Sequence, residues 1–178
     1  MFRTLLGCTL ALLAVSATAD SQSPYVGQES REIKALSPQE ISDYLSGKGM
    51  GLAKAAELNG YPGPAHVLEL AAQLDLTPEQ KTKTEVLFKK MQARAIPLGK
   101  ELVEEERALD RLLASRAVNS ESLGQALARI GRLQGQVRQV HLDAHVTAVL
   151  TPAEVEKYYR LRGYGMSSEQ ETHQPLQH

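Results

Sequence analysis

A five-residue pattern that marks helix starts, L-[ST]-P-x-[EQ], occurs three times in the chain and constrains its fold most strongly. The copies occupy residues 36–40, 76–80 and 150–154. In each copy the Ser or Thr hydroxyl can accept a hydrogen bond from the first turn, and Pro suits the first helical position because its missing N–H costs nothing there. The closing Glu or Gln can accept a bond from the backbone N–H of the cap. The pattern therefore predicts helix starts with paired caps, including Thr77 with Gln80 and Thr151 with Glu154.

Apolar residues recur every three or four positions in two long segments, as on one face of an amphipathic helix. They predict helices over about residues 77–115 and 121–149, and Pro97 should bend the first of these. Gly131 and Gly135 indicate that the second long helix allows a close backbone approach. No segment alternates with the period of a strand, and aromatic residues make up only 4% of the chain. The predicted fold is all-α, a long kinked antiparallel helical hairpin flanked by short helices over residues 64–74 and 152–162.

The first 19 residues have the features of a secretory signal peptide. A positive start at Arg3 precedes an apolar run over residues 4–15, which is too short to span a bilayer, and small residues follow at positions 17 and 19. Cleavage before Asp20 is predicted, and cleavage after residue 17 also fits. The leader predicts export from the cytoplasm.

Polar stretches without periodicity flank the helical region. Residues 20–35 and 165–178 are predicted to form a disordered arm and a disordered tail, which leaves residues 36–164 as one helical domain. His173 and His178 fall in the tail, where we expect them to be solvated, with a metal contact as the alternative. The formal net charge of the chain is −1, so electrostatics gives no reason to expect nucleic acid or an anionic membrane as a partner.

The chain lacks the residue patterns of common catalytic sites. Cys8 is the only cysteine and lies in the leader, so the exported chain would have no thiol nucleophile, thiolate metal site or disulfide. A lipoprotein cleavage box at Cys8 is disfavoured because most of the apolar run follows it. The glycines of residues 47–51 follow no predicted strand, unlike those of a phosphate-binding loop, and residues 141–145 (HLDAH) lack the Glu that zinc proteases use as base. We therefore predict no enzymatic activity.

Helical histidines form the main candidate site. His141 and His145 are four residues apart, so both side chains point to the same side of their helix and can bind a divalent metal ion. The alternative is that they pack at the open end of the hairpin with hydrogen bonds to Tyr or Glu. His66 and Glu69 share a face of a short helix, and hairpin geometry places them about 7.5 Å along the axis from the His pair. The predicted metal site is therefore His66, Glu69, His141 and His145.

The turns that are predicted between the helices indicate which residues lie opposite the candidate histidines. His145 should lie opposite about Met91, and His66 opposite about Val86. Met50 would join the site only if the glycine-rich segment around it folds back.

The first long helix is electrically bipolar. Residues 81–100 carry six basic side chains and one acidic one, whereas residues 101–110 carry five acidic side chains and one basic one. An antiparallel homodimer would set the basic half of one helix against the acidic half of its mate. In the alternative, the acids at positions 104–106 face Arg129 and Arg132 within one hairpin. A hairpin of a single layer also leaves an apolar face open to water, which favours the dimer.

The helix-start motifs at residues 76–80 and 150–154, with the long hairpin between them, resemble the LTxxQ family of periplasmic proteins. This family includes Spy, CpxP and the zinc-resistance-associated proteins, and heavy-metal sensors are its relatives. The similarity covers roughly residues 65–164. The second motif has Glu154 where the family pattern has Gln, and because Glu caps a helix equally well the fold inference is unaffected.

The resemblance implies an ATP-independent chaperone or envelope-stress protein that holds unfolded client proteins on the concave face of a curved antiparallel homodimer. It implies no required cofactor, and it implies a membrane sensor kinase or a sigma-factor system as a further partner. The alternative that it implies is a periplasmic heavy-metal sensor or buffer that binds zinc, nickel or copper through the helical histidines.

Overall fold

The computed structural model describes residues 22–147 and 149–165, which contain no β-strand. After a 3-10 turn at Gln28–Ser30, these residues form the helices α1 (Pro38–Leu45), α2 (Lys54–Glu57), α3 (Pro64–Glu69), α4 (Pro78–Ala114), α5 (Ser120–Val146) and α6 (Pro152–Leu161). The two long helices, α4 and α5, pack against each other as an antiparallel hairpin. The predicted all-α class and the helical hairpin are confirmed.

All three predicted helix starts are present with reciprocal caps. The Thr77 hydroxyl accepts from the backbone N–H of Gln80 at 3.1 Å, and the Thr151 hydroxyl accepts from that of Glu154 at 3.4 Å. The two motifs also touch each other, because the side-chain amide of Gln80 donates to the Glu154 carboxylate at 2.9 Å. Hydrogen bonds, chiefly from the Thr151 backbone, lower the pKa of Glu154. Glu154 therefore serves both as the cap partner of Thr151 and as an acceptor for Gln80.

The short helix α3 ends at Glu69, five residues before the predicted end. The chain tightens there, since the backbone N–H of Ala71 bonds to the carbonyl of Leu68 and that of Leu74 to Leu70. These turns bring Leu74 beside Tyr158 of α6. The other predicted helix ends differ less from the structure; α5, for example, ends at Val146 and not at residue 149. Helix α4 continues through Pro97 without a break.

The N-terminal helices form a second layer on the hairpin. Helices α1 and α3 pack on α4, and α2 packs on α5. Tyr44 of α1 and Leu52 pack against a buried cluster of the hairpin made of Leu102, Ile130, Leu133 and Val137. The expectation of an open, single-layered hairpin is therefore wrong. An apolar face left open by a single layer no longer supports the predicted homodimer.

The segment before α1 also differs from the expected disordered arm over residues 20–35. Ile33 is fully buried and packs with Leu36 and Val103 of α4. The Lys34 ammonium lies 3.1 Å from the Asp110 carboxylate. A single Ile between charged neighbours has no periodicity, so sequence pattern alone could not reveal that this segment docks.

Ion pairs within the hairpin and with its N-terminal layer occupy much of the acidic half of α4. Arg129 Nε lies 2.8 Å from Glu105 Oε2, as in the intramolecular alternative. Arg107 pairs with Glu104 and with Glu32 of the N-terminal segment. Glu106 is buried, and burial raises its pKa. Few of these acids remain to orient a second copy of the chain.

The predicted role of Gly131 and Gly135 in a close backbone approach is wrong. Within the described part of the chain, a Cβ atom added at either position would meet no atom within 4 Å. The close approach lies at Gly99 of α4, where an added Cβ would overlap the backbone carbonyl of Tyr44, with the carbonyl carbon 2.9 Å away. This contact sets how closely α1 crosses α4.

Several predictions concern residues outside those that the structure describes. These are the signal peptide over residues 1–19 with Cys8, and the tail beyond residue 165 with His173 and His178. No helix in the described part of the chain is both long enough and apolar enough to cross a membrane.

Candidate functional site

A cavity of about 580 Å³ lies between the N-terminal layer and the open end of the hairpin. All three histidines in the described part of the chain line it, as do both methionines there. These five residues are His66, His141, His145, Met50 and Met91. The four predicted metal ligands, including Glu69, therefore share one cavity.

His141 is the most deeply placed of these side chains. It is only 2% exposed, and its Nε2 atom has no hydrogen-bond partner within the described residues. Burial, and secondarily the charge of His145, lower the pKa of His141. Its imidazole is therefore neutral at neutral pH, which is the form that binds metal ions.

His145 is held by the turn between α2 and α3. Its Nδ1 atom donates to the backbone carbonyl of Tyr61 at 2.9 Å and lies 3.8 Å from the Glu57 carboxylate. Its Nε2 atom lies against Gly63, where an added Cβ would be 2.5 Å away. This arrangement matches the packing alternative for His145, and in the neutral ring it leaves Nε2 as the free electron-pair donor.

His66 and Glu69 lie at the edge of the cavity and contact each other. His66 Nδ1 is 2.8 Å from Glu69 Oε2, and the His66 side chain is half-buried whereas that of Glu69 is exposed. Met91, which the register sets opposite His145, lines the same cavity and belongs to one buried cluster with Ala144. Val86, which the register sets opposite His66, is 60% exposed, and Phe88 lines the cavity instead.

The candidate ligands are neighbours without being a preassembled metal centre. Among the described residues, no three His, Cys, Asp or Glu side chains are close enough to hold one ion. His66 is engaged with Glu69, and His145 with the Tyr61 carbonyl. Metal binding would therefore require side-chain rearrangement around His141.

The glycine-rich segment 47–51 folds back over the cavity and so meets the condition for including Met50. Gly47, Met50 and Gly51 all have positive φ, at 65°, 47° and 75°. For Met this left-handed conformation is uncommon, whereas for Gly it carries no steric cost. Lys48 of this segment also lines the cavity, where its ammonium pairs with Asp43 at 2.9 Å.

Sequence reasoning missed Glu57, which joins the cavity to α6. One carboxylate oxygen of Glu57 accepts from the hydroxyls of Tyr158 at 2.6 Å and Tyr164 at 3.2 Å. The other accepts from the backbone N–H of Gly63 at 3.3 Å. Burial, and secondarily the bond to Glu57, raise the pKa of Tyr158. A Glu in a four-residue, Ala-rich helix has no sequence signal that would have revealed this role.

Comparison of the chain with protein-family models, with curated proteins and with solved structures finds no match. The resemblance to the LTxxQ family therefore depends on the two motifs and on the helical hairpin that they delimit.

Proposed function

We propose that this protein is an exported envelope protein that binds a transition-metal ion in its histidine cavity and acts as a metal sensor or buffer. The observation that carries the proposal is His141, whose buried Nε2 atom lacks a partner among the described residues and lies at a cavity that two other histidines line. A buried polar atom without a hydrogen bond costs about 1–3 kcal/mol. Coordination of a metal ion would provide the missing partner.

The construction of the cavity supports a sensing role. His66 comes from the N-terminal layer, whereas His141 and His145 come from the hairpin. An ion bound by both groups would hold the two layers together, and it would favour whichever arrangement of the layers it binds more tightly. Recruiting His66 would break its exposed contact with Glu69, which is worth at most about 1 kcal/mol.

Substitution of both hairpin histidines tests this proposal. His141→Ala together with His145→Ala should abolish tight binding of Zn(II), Ni(II) and Cu(II), and His66→Ala should weaken it by about tenfold. Native mass spectrometry gives the metal stoichiometry, and titration calorimetry gives the affinity. Gln139→Ala, an exposed change on α5, is the matched control and should bind like the wild type.

Two outcomes would contradict the proposal. One is the absence of micromolar binding in the wild type. The other is binding that survives the double substitution and disappears when His173 and His178 of the tail are replaced.

We also propose client holding as a second function, because large apolar side chains of the hairpin remain exposed. Val86, Leu113, Leu127 and Val146 are all at least half exposed. Such side chains offer contacts for an unfolded chain.

The purified protein should suppress aggregation of an unfolded client without ATP, measured by light scattering, and replacing Val86 and Leu127 by Ser should reduce the effect. Failure to suppress aggregation of several clients at stoichiometric excess would remove this function.

A homodimer stays a prediction from the charge pattern of the first long helix and from the resemblance. A membrane sensor kinase or a sigma-factor system as signalling partner stays a prediction from the resemblance. The same native mass spectra report the oligomeric state. A monomer at tens of micromolar would rule out the homodimer.

A further inference from the structure

We infer that the cavity selects a soft monovalent cation, Cu(I) or Ag(I), and that Met50 is a determinant of this selectivity. The inference rests on the proposed function, since it names the class of ion that the same cavity binds. It depends on which donor atoms around the cavity are free and on how the chain presents Met50.

The carboxylates that line the cavity already have partners. Asp43 pairs with Lys48 at 2.9 Å, and Glu69 contacts His66 at 2.8 Å. Glu57 accepts from Tyr158 at 2.6 Å and from Gly63 at 3.3 Å. A hard divalent ion that needs carboxylate oxygens would have to share these carboxylates with the partners already in place.

Three donor atoms of the cavity that are not tied up in strong hydrogen bonds are soft or borderline. His141 Nε2 has no partner in the described part of the chain, and the thioethers of Met50 and Met91 are at most weak acceptors. Thioether ligands favour Cu(I), whereas the usual ligands of Zn(II) are thiolate, imidazole and carboxylate. A neutral donor set also suits a cation of single charge, because a half-buried site pays less desolvation for it than for a divalent ion.

The backbone brings Met50 to the cavity in a conformation that sequence preference disfavours. Met50 has a φ of 47° between Gly49 and Gly51, and its side chain remains about one-third exposed. Burial of about two-thirds of its surface favours an apolar side chain here, but it gives no reason for a left-handed backbone at a residue other than glycine. Coordination of a soft ion by its thioether would explain both the turn and the partial exposure. Met91 differs, because it is buried in the hairpin core with Ala95 and Val140.

Paired titrations with Ag(I) and Zn(II) test the inference. The full chain carries Cys8→Ser in every variant, so that no thiol competes for silver, and the buffer is free of chloride. The wild-type site should bind one Ag(I) more tightly than Zn(II). Met50→Leu, which keeps the apolar volume, should weaken Ag(I) binding by about tenfold or more and leave Zn(II) affinity unchanged. Met166→Leu is the same substitution in the tail and should change neither affinity.

A spectroscopic measurement on the unsubstituted side chain removes any dependence on how the variants fold. The methyl resonance of Met50, labelled with carbon-13, should shift on addition of one equivalent of Ag(I), and of Cu(I) under reducing conditions. Addition of Zn(II) should not shift it.

The outcomes separate this inference from the proposed function. If Zn(II) binds through His141 and His145 more tightly than Ag(I) does, or if Met50→Leu leaves Ag(I) affinity unchanged, the selectivity is wrong and the metal function stands. If Met166→Leu weakens silver binding instead, the tail is the silver site and the inference is also overturned. If neither ion binds at all, the proposed function fails and the inference fails with it.

Discussion

Replacing Gly99 by Ala should lower the free energy of unfolding by about 1–3 kcal/mol, the usual cost of overpacking. The Cβ would overlap the backbone carbonyl of Tyr44, whose carbon lies 2.9 Å from the ideal Cβ position. A main-chain carbonyl cannot swing aside as a flexible side chain can, so α1 would have to move away from α4. That movement would loosen Tyr44 in its contacts with the buried clusters of the hairpin.

The same substitution at Gly131 should have the opposite sign. Gly131 is also inside a long helix, but a Cβ there would meet no atom of residues 22–147 or 149–165 within 4 Å. Alanine has the higher helix propensity, so Gly131→Ala should raise the unfolding free energy by about 0.5–1 kcal/mol. Urea unfolding followed by circular dichroism at 222 nm measures both variants. Equal stabilisation by the two substitutions would show that α1 does not pack on Gly99 as described.

Local signals in the sequence were sufficient to predict the two long helices of the hairpin and the start of α6. A capping box with Pro at the first position specifies a helix start within a few residues, which is why Thr77 and Thr151 were placed correctly. A sustained 3.6-residue period over two long segments then leaves few alternatives to a helical hairpin.

The second layer could not be predicted, because its contacts are long-range. Ile33 is buried through packing on Val103, which is seventy residues away in the chain. Helix propensity also treats all glycines alike. Only the crossing of α1 over α4 distinguishes Gly99 from Gly131.

The candidate site was likewise predictable where it depends on local spacing, and not where it depends on long-range contacts. The spacing of His141 and His145 placed both on one side of α5, and the short helix brought His66 to the same cavity. Met50 reaches the cavity through a turn of positive φ, a conformation that residue type does not foretell for Met. Glu57 owes its role to Tyr158, Tyr164 and Gly63, which come together only in the folded chain.

Removing the Glu57 carboxylate should be among the most destabilising single changes outside the hydrophobic core. Glu57→Ala would leave the Tyr158 hydroxyl, on a side chain that is 0% exposed, without its acceptor at 2.6 Å. It would also strip the acceptor from the backbone N–H of Gly63. An unsatisfied buried donor costs about 1–3 kcal/mol, so we expect the two donors together to lower the free energy of unfolding by about 3 kcal/mol. Urea unfolding again provides the measurement.

A double-mutant cycle shows whether this loss passes through Tyr158. Tyr158→Phe removes the donor together with its need for an acceptor, so it should cost only about 1 kcal/mol alone. It should then cost less in the Glu57→Ala background, with a coupling of at least about 0.5 kcal/mol. Tyr61→Phe, an exposed change of the same type, should stay within about 0.5 kcal/mol of the wild type. If the two losses simply add, the bond between Glu57 and Tyr158 does not hold α6 to the cavity, because removing either partner would then act independently of the other.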